Sequence, residues 1–127
     1  MTETAEQGAV ASPFDGEAFA PFIQGLPALD VPFAEDVVQT RAVQSPEGLV
    51  VFFTFLKDMV LPPHAHGPQW GTVVAGQITL TIGGETRVCG PGDSYDIGDG
   101  VMHGAEITAG TRVIDVFAEA ERYALKR

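Results

Sequence analysis

The chain has 127 residues and a formal charge of −10, from 17 Asp+Glu against 7 Lys+Arg. That is the size of one ordinary domain, with a surface that repels phosphate backbones and anionic lipid; neither nucleic acid nor a membrane is an expected partner. Hydrophobic residues at 45% and charged ones at 19% exclude a disordered chain, while 15 Gly and 9 Pro interrupt it too often for a helical bundle.

Residues 1–13 (MTETAEQGAVASP) are small, polar and acidic without periodicity and read as a frayed tail. They hold no basic segment ahead of an apolar one, no apolar run approaches the roughly 20 residues of a membrane span, and the single cysteine, Cys89, cannot close an intrachain disulfide. A cytoplasmic protein is expected. Residues 14–34 carry Phe14, Phe19, Phe22, Ile23, Leu26, Leu29 and Phe33 among Gly and Pro, an apolar arm that needs a surface, on its own domain or on a partner subunit.

From residue 36 the pattern takes period two. Residues 36–44 read as a strand, SPEG at 45–48 as a turn, and 49–56 (LVVFFTFL) as a strand apolar on both faces. A strand of that kind is covered on both sides, one by the core and one by the arm or a second subunit. A homodimer is therefore expected. Further strands are read at 72–75, 77–82, 85–89, 94–97, 103–108 and 111–118, with Gly83-Gly84 as a two-residue hairpin turn. The tail AEAERYALKR has the composition for one or two helical turns. This gives an arm and tail over 1–35, an all-β barrel or sandwich over 36–118, and a C-terminal tail over 119–127.

Three histidines stand out by placement. His64 and His66 are two apart on a segment that LPP leads into extended conformation, so both imidazoles project from one face. His103 follows the turn-rich stretch GPGDSYDIGDGVM, where another strand begins. Two imidazoles on one strand face and a third from a neighbouring strand make a metal site in a β-barrel.

These residues resemble the two motifs of the cupin superfamily. HAHGPQWGTVVAG supplies His64, His66 and the closing Gly76, with Gln69 where the family places glutamate; GDSYDIGDGVMHGAEI supplies Gly92, Gly100 and His103. Asp58, Gly98 and Ile107 stand where the family has Gly, Pro and Asn, and the spacing from His66 to Gln69 is tighter than usual. The resemblance implies a single antiparallel β-barrel, the double-stranded β-helix or jelly roll. It also implies one divalent transition metal (Zn, Ni, Mn or Fe) held by His64, His66, Gln69 and His103, with positions open for substrate. Gln69 is alternatively a hydrogen-bonding neighbour of the ligands. As a ligand, its neutral amide leaves the full charge of the ion in place, which binds metal less tightly and polarises a substrate oxygen more.

Asp115 interrupts the last apolar strand on the face of Val113 and Phe117. It either lines the cavity as a catalytic acid/base or faces solvent beside Arg41 or Arg112. Some cupins that act on unsaturated uronates resemble this chain in carrying Gln at the glutamate position and a late Asp followed by Arg; here Arg122 follows by seven residues. Arg41, Phe55, Met59, Val73 and Phe117 are the expected substrate contacts, Trp70 is read as core or interface packing, Cys89 as a buried small hydrophobe, and Tyr123 has no assigned role. The leading function is a metal-dependent isomerase, cyclase or lyase acting on an oxygenated or sugar-like small molecule. The alternatives are an iron-dependent dioxygenase and a non-catalytic ligand-binding cupin.

Overall fold

Strict alternation builds the main strands. In the computed structural model, which describes residues 18–126, β2 (Val38–Ser45) buries Val38, Thr40 and Ala42, and β3 (Gly48–Phe55) buries Leu49, Val51, Phe53 and Phe55. The residues between them point outward. The tail read over 1–13 lies outside the described residues. The other strands are β1 (Leu29–Asp30), β4 (Met59–His64), β5 (Gln69–Ala75), β6 (Ile78–Ile82), β7 (Glu85–Cys89), β8 (Ser94–Ile97), β9 (His103–Ile107), β10 (Arg112–Phe117) and β11 (Ala124–Leu125). One short helix, α1 (Pro21–Gln24), lies in the arm.

All pairings are antiparallel. A five-stranded sheet runs β2-β3-β10-β5-β8, a four-stranded sheet runs β4-β9-β6-β7, and β1 pairs with β11. The inner faces of the two larger sheets share one core, in which Leu49, Val51, Val73, Ile97 and Val113 are almost fully enclosed. This is the expected jelly roll. Gly83 and Gly84 both take positive φ (55° and 89°) in the tight β6–β7 turn, as read from sequence.

The described part of the arm packs on its own chain. Phe19 stands edge-on to Phe52 at 5.3 Å, Leu29 is buried, and the Leu29 amide donates to Thr40 Oγ1 at 2.9 Å. The C-terminal helical turns read from sequence do not form. Residues 118–123 are bends and turns, and Ala124–Leu125 becomes an edge strand against Leu29–Asp30. Tertiary pairing with the arm overrides the helix preference of an Ala/Glu-rich segment.

On the outer face of the five-stranded sheet, cross-strand register aligns Val43, Val50, Val116 and Trp70 in one row. Val43 is 49% exposed and Trp70 44%. Trp70 is thus not a core residue. Among the described residues, no helix is long and apolar enough to cross a membrane.

Candidate metal centre

The two larger sheets leave a cavity of about 70 Å³, well above the roughly 10–15 Å³ that one water requires. His64, His66 and His103 all reach it. β4 and β9 pair so that His64 faces His103, after a register shift between Leu61 and His64. β4 ends at His64, so His66 lies in the following loop rather than on the strand face read from sequence. It converges nonetheless: the ring centroids are 5.3 Å (64–66), 4.2 Å (64–103) and 4.8 Å (66–103) apart, with one potential ligand nitrogen from each ring within 4.8 Å of the others.

The tautomers follow from the backbone. Nδ1 of His64 lies 3.0 Å from Pro62 O, that of His66 2.8 Å from Gly67 O, and that of His103 2.9 Å from Val101 O. A carbonyl only accepts, so each Nδ1 carries the proton and each Nε2 keeps its lone pair. Among the described residues, His103 Nε2 is buried without a hydrogen-bond partner. An orphaned buried acceptor of this kind needs an occupant. Burial is the main influence holding the His66 and His103 imidazoles below their ordinary pKa, with the neighbouring imidazoles and the Arg122 charge adding to it. Neutral imidazoles with free Nε2 atoms are the state a divalent metal requires. The donor set fits a transition metal.

The His66 loop is tied down on both sides. Gly100 N donates to His66 O at 2.8 Å, Gly67 N donates to Glu119 Oε1 at 2.8 Å, and Ala118 N donates to Pro68 O at 3.0 Å. The C-terminal segment thereby fixes an imidazole that the strand itself does not hold.

Asp115 is 6% exposed and accepts from Tyr95 Oη at 2.7 Å. It lines the cavity rather than facing solvent beside Arg41 or Arg112. Burial pushes its carboxyl up to about 6, against the Tyr95 hydroxyl and the neighbouring Gln69 amide, which favour the anion. Burial, then the charge of Asp115, pushes the Tyr95 phenol well up, so this tyrosine stays a donor.

Gln69, Phe55, Met59 and Phe117 line the cavity with the histidines and Asp115. Val73 does not; it is enclosed in the core. Arg41 is also misplaced by the sequence reading. Its strand buries Thr40 and Ala42, which turns Arg41 outward, where its Nε donates to Gln24 O at 2.6 Å and one terminal NH₂ to Thr40 O at 2.9 Å. The strand phase carried that signal.

The C-terminal segment contributes instead, Tyr123 to the lining and Arg122 behind it. Tyr123 lines the cavity and stands edge-on to Phe117 at 5.9 Å. The Arg122 guanidinium lies 4.4 Å above the Tyr123 ring, its Nε is buried without a hydrogen-bond partner, and its charge is felt at His66 and His103.

The model of the cupin domain family matches residues 52–117, more than half of the chain. The protein is a cupin. KdgF from Halomonas sp. is 30% identical, over 78% of this chain and 90% of that one, with a TM-score of 0.66. An RmlC-like cupin from Shewanella frigidimarina is 26% identical, over 78% and 88% of the two chains, with a TM-score of 0.68. Oxalate decarboxylase of Bacillus subtilis, a protein with Mn(II) centres, shares the fold at 18% identity, over 67% of this cupin and 26% of the decarboxylase, with a TM-score of 0.57. No curated protein matches by sequence.

Proposed function

We propose that this cupin is a metal-dependent enzyme of the isomerase, cyclase or lyase type, acting on a small oxygenated, sugar-like acid. The observation that carries the reading is a buried carboxyl with a pKa near 6, Asp115, in the same cavity as three imidazoles with free Nε2 atoms. A divalent ion held by His64, His66 and His103, with Gln69 as fourth ligand, supplies Lewis acidity that polarises a substrate oxygen. Asp115, the carboxyl that shares the cavity with the imidazoles, takes up and returns a proton. Tyr95 holds one of its carboxylate oxygens. Arg122, whose charge is felt at His66 and His103 and whose buried Nε has no hydrogen-bond partner among the described residues, binds a substrate carboxylate. That arrangement agrees with the sequence resemblance to cupins that act on unsaturated uronates. Phe55, Met59, Phe117 and Tyr123 exclude water around the reacting atoms.

The test is a panel of unsaturated and saturated uronates and their neutral counterparts, incubated with protein purified without a histidine tag and loaded separately with Zn, Ni, Mn or Fe. Conversion followed by NMR is expected for acids alone, with no oxygen consumed, and Arg122→Ala is expected to raise KM for the acid. Substrate-dependent oxygen uptake would assign the site to dioxygenase chemistry. Saturable binding without turnover would assign it to ligand storage or sensing.

The protein is further proposed to be cytoplasmic and to function as a homodimer through the Val43–Val50–Val116–Trp70 row. In a chain of charge −10, the outward positions of the five strands carry a single carboxylate, Asp96, beside Arg41 and Arg112. With one carboxylate and two guanidinium groups, this face adds little charge repulsion between two copies. Sedimentation is expected to give a dimer at micromolar concentration and a monomer for Trp70→Glu; a monomeric parent would refute the assembly.

A further inference from the structure

Of the three imidazoles, His66 alone is carried by a loop; His64 ends β4 and His103 begins β9, and the two are register partners. No strand ladder holds the backbone at residues 65–68. Each ring also leans on a carbonyl. For His64 and His103 that carbonyl lies two residues earlier, Pro62 O and Val101 O. For His66 it is Gly67 O, 2.8 Å away and one residue later in the same loop.

The peptide unit between His66 and Gly67 is fastened at both edges. Its oxygen, His66 O, accepts from Gly100 N at 2.8 Å, and its N–H, on Gly67, donates to Glu119 Oε1 at 2.8 Å. A planar unit held at both ends leaves ψ of His66 and φ of Gly67 little freedom. The Glu119 side chain folds over Gly67, where an added Cβ would lie 2.8 Å from its Cγ and 2.9 Å from its Cδ. The missing side chain at residue 67 is what admits the carboxylate. Glu119 Oε1 stands 3.9 Å from His66 Nδ1, beyond hydrogen-bond reach, so it acts on the imidazole through Gly67. The Gly100 contact joins main chain to main chain, whereas the Glu119 contact depends on a side chain.

We propose that Glu119 is a positioning residue for the metal centre: it holds the Gly67 N–H, and through that peptide it sets the His66 ring with Nδ1 on Gly67 O and Nε2 free for the ion. The inference rests on the metal-centre reading above. It adds a residue 52 positions from Gly67 in sequence that holds a ligand without touching the ion. The contact is a hydrogen bond from a neutral amide, so an uncharged oxygen in the same place serves equally.

Two measurements on the full chain test this. In metal-free protein carrying isotope-labelled histidine, at about pH 8 where imidazoles are neutral, the ring nitrogen resonances report which nitrogen holds the proton; His66→Ala assigns the His66 pair. The second is Co(II) binding by isothermal titration and visible absorption. Glu119→Ala is expected to move the His66 resonances toward tautomer-averaged positions and to leave those of His64 and His103 in place. It is expected to weaken Co(II) binding by about tenfold, the lower end for groups that orient a metal-binding imidazole. Glu119→Gln keeps an oxygen for Gly67 N and is expected to restore the resonances, with affinity within about twofold of the parent. Should Glu119→Ala fail to fold, Gly67→Ala takes its place, since the added carbon drives the Glu119 side chain off the loop; the same change confined to His66 is expected. Unchanged His66 resonances and affinity, equal shifts in all three rings, or a Glu119→Gln protein as impaired as Glu119→Ala would overturn the proposal. A parent that binds no Co(II) refutes the metal centre, and the ligand role of His66 with it. A parent that binds Co(II) with His66 indifferent to Glu119 refutes only the positioning residue.

Discussion

Replacing Asp115 by Asn tests the buried carboxyl directly. Moving its pKa from 3.8 to about 6 corresponds to about 3 kcal/mol between the protonated and ionised forms, at about 1.4 kcal/mol per pH unit. The folded state holds this proton more tightly than the unfolded state. The parent's stability from this group is therefore fully present below pH 3.8, falls as pH rises toward 6, and is absent above it. His66 and His103, with lowered pKa values, act in the opposite sense and weaken the fold as pH falls below 6.5. The difference between parent and variant removes their contribution. Asn keeps an oxygen for the Tyr95 hydroxyl and carries no charge. Urea unfolding of both proteins after chelator treatment, at intervals from pH 4 to pH 8, is expected to show near-equal stability at pH 4. At pH 8 the variant should be the more stable by up to about 3 kcal/mol, roughly 10 °C in melting temperature for a domain of this size. The metal must be stripped, because a nearby cation lowers the carboxyl pKa. A difference that does not vary with pH, or a parent more stable than the variant at pH 8, would refute the argument that Asp115 is ionised at a cost.

Three further outcomes follow from the geometry. His66→Ala or His103→Ala is expected to abolish tight metal binding, measured by metal analysis after dialysis; metal content unchanged in the double variant would remove the functional reading. Gln69→Ala should weaken binding modestly, whereas Gln69→Glu should tighten it while destabilising the metal-free fold by placing a second carboxylate beside Asp115; affinity no tighter than the parent's would show that Gln69 is not a ligand. Gly71→Ala should cost about 1–3 kcal/mol or more, because its Cβ would meet Asp115 Oδ1 at 2.0 Å, while Gly90→Ala, with nothing within 4 Å of the added carbon, serves as the near-neutral control in thermal melts.

What the sequence by itself determined lies in short-range chemistry. Alternation in LVVFFTFL and QITLTI marked strands and their phase, Gly83-Gly84 marked a hairpin that only positive φ closes, and the placement of His64, His66 and His103 marked a candidate metal site before any pairing was known. The phase of β2 even held the answer for Arg41, since a residue between buried Thr40 and Ala42 must face outward. What only the tertiary structure decided depends on which strands become neighbours. Nothing in the vicinity of Tyr95 announces a partner twenty residues away; the order β10-β5-β8 brings Tyr95 and Asp115 to either side of Gly71. The C-terminal segment reads locally as helix, yet pairing of Leu125 with Leu29 draws it across the barrel mouth and delivers Arg122 and Tyr123 to the site. Local periodicity encodes which way a side chain points. What it meets there is set by non-local strand order, whose energy comes from contacts that exist only once the sheets have assembled.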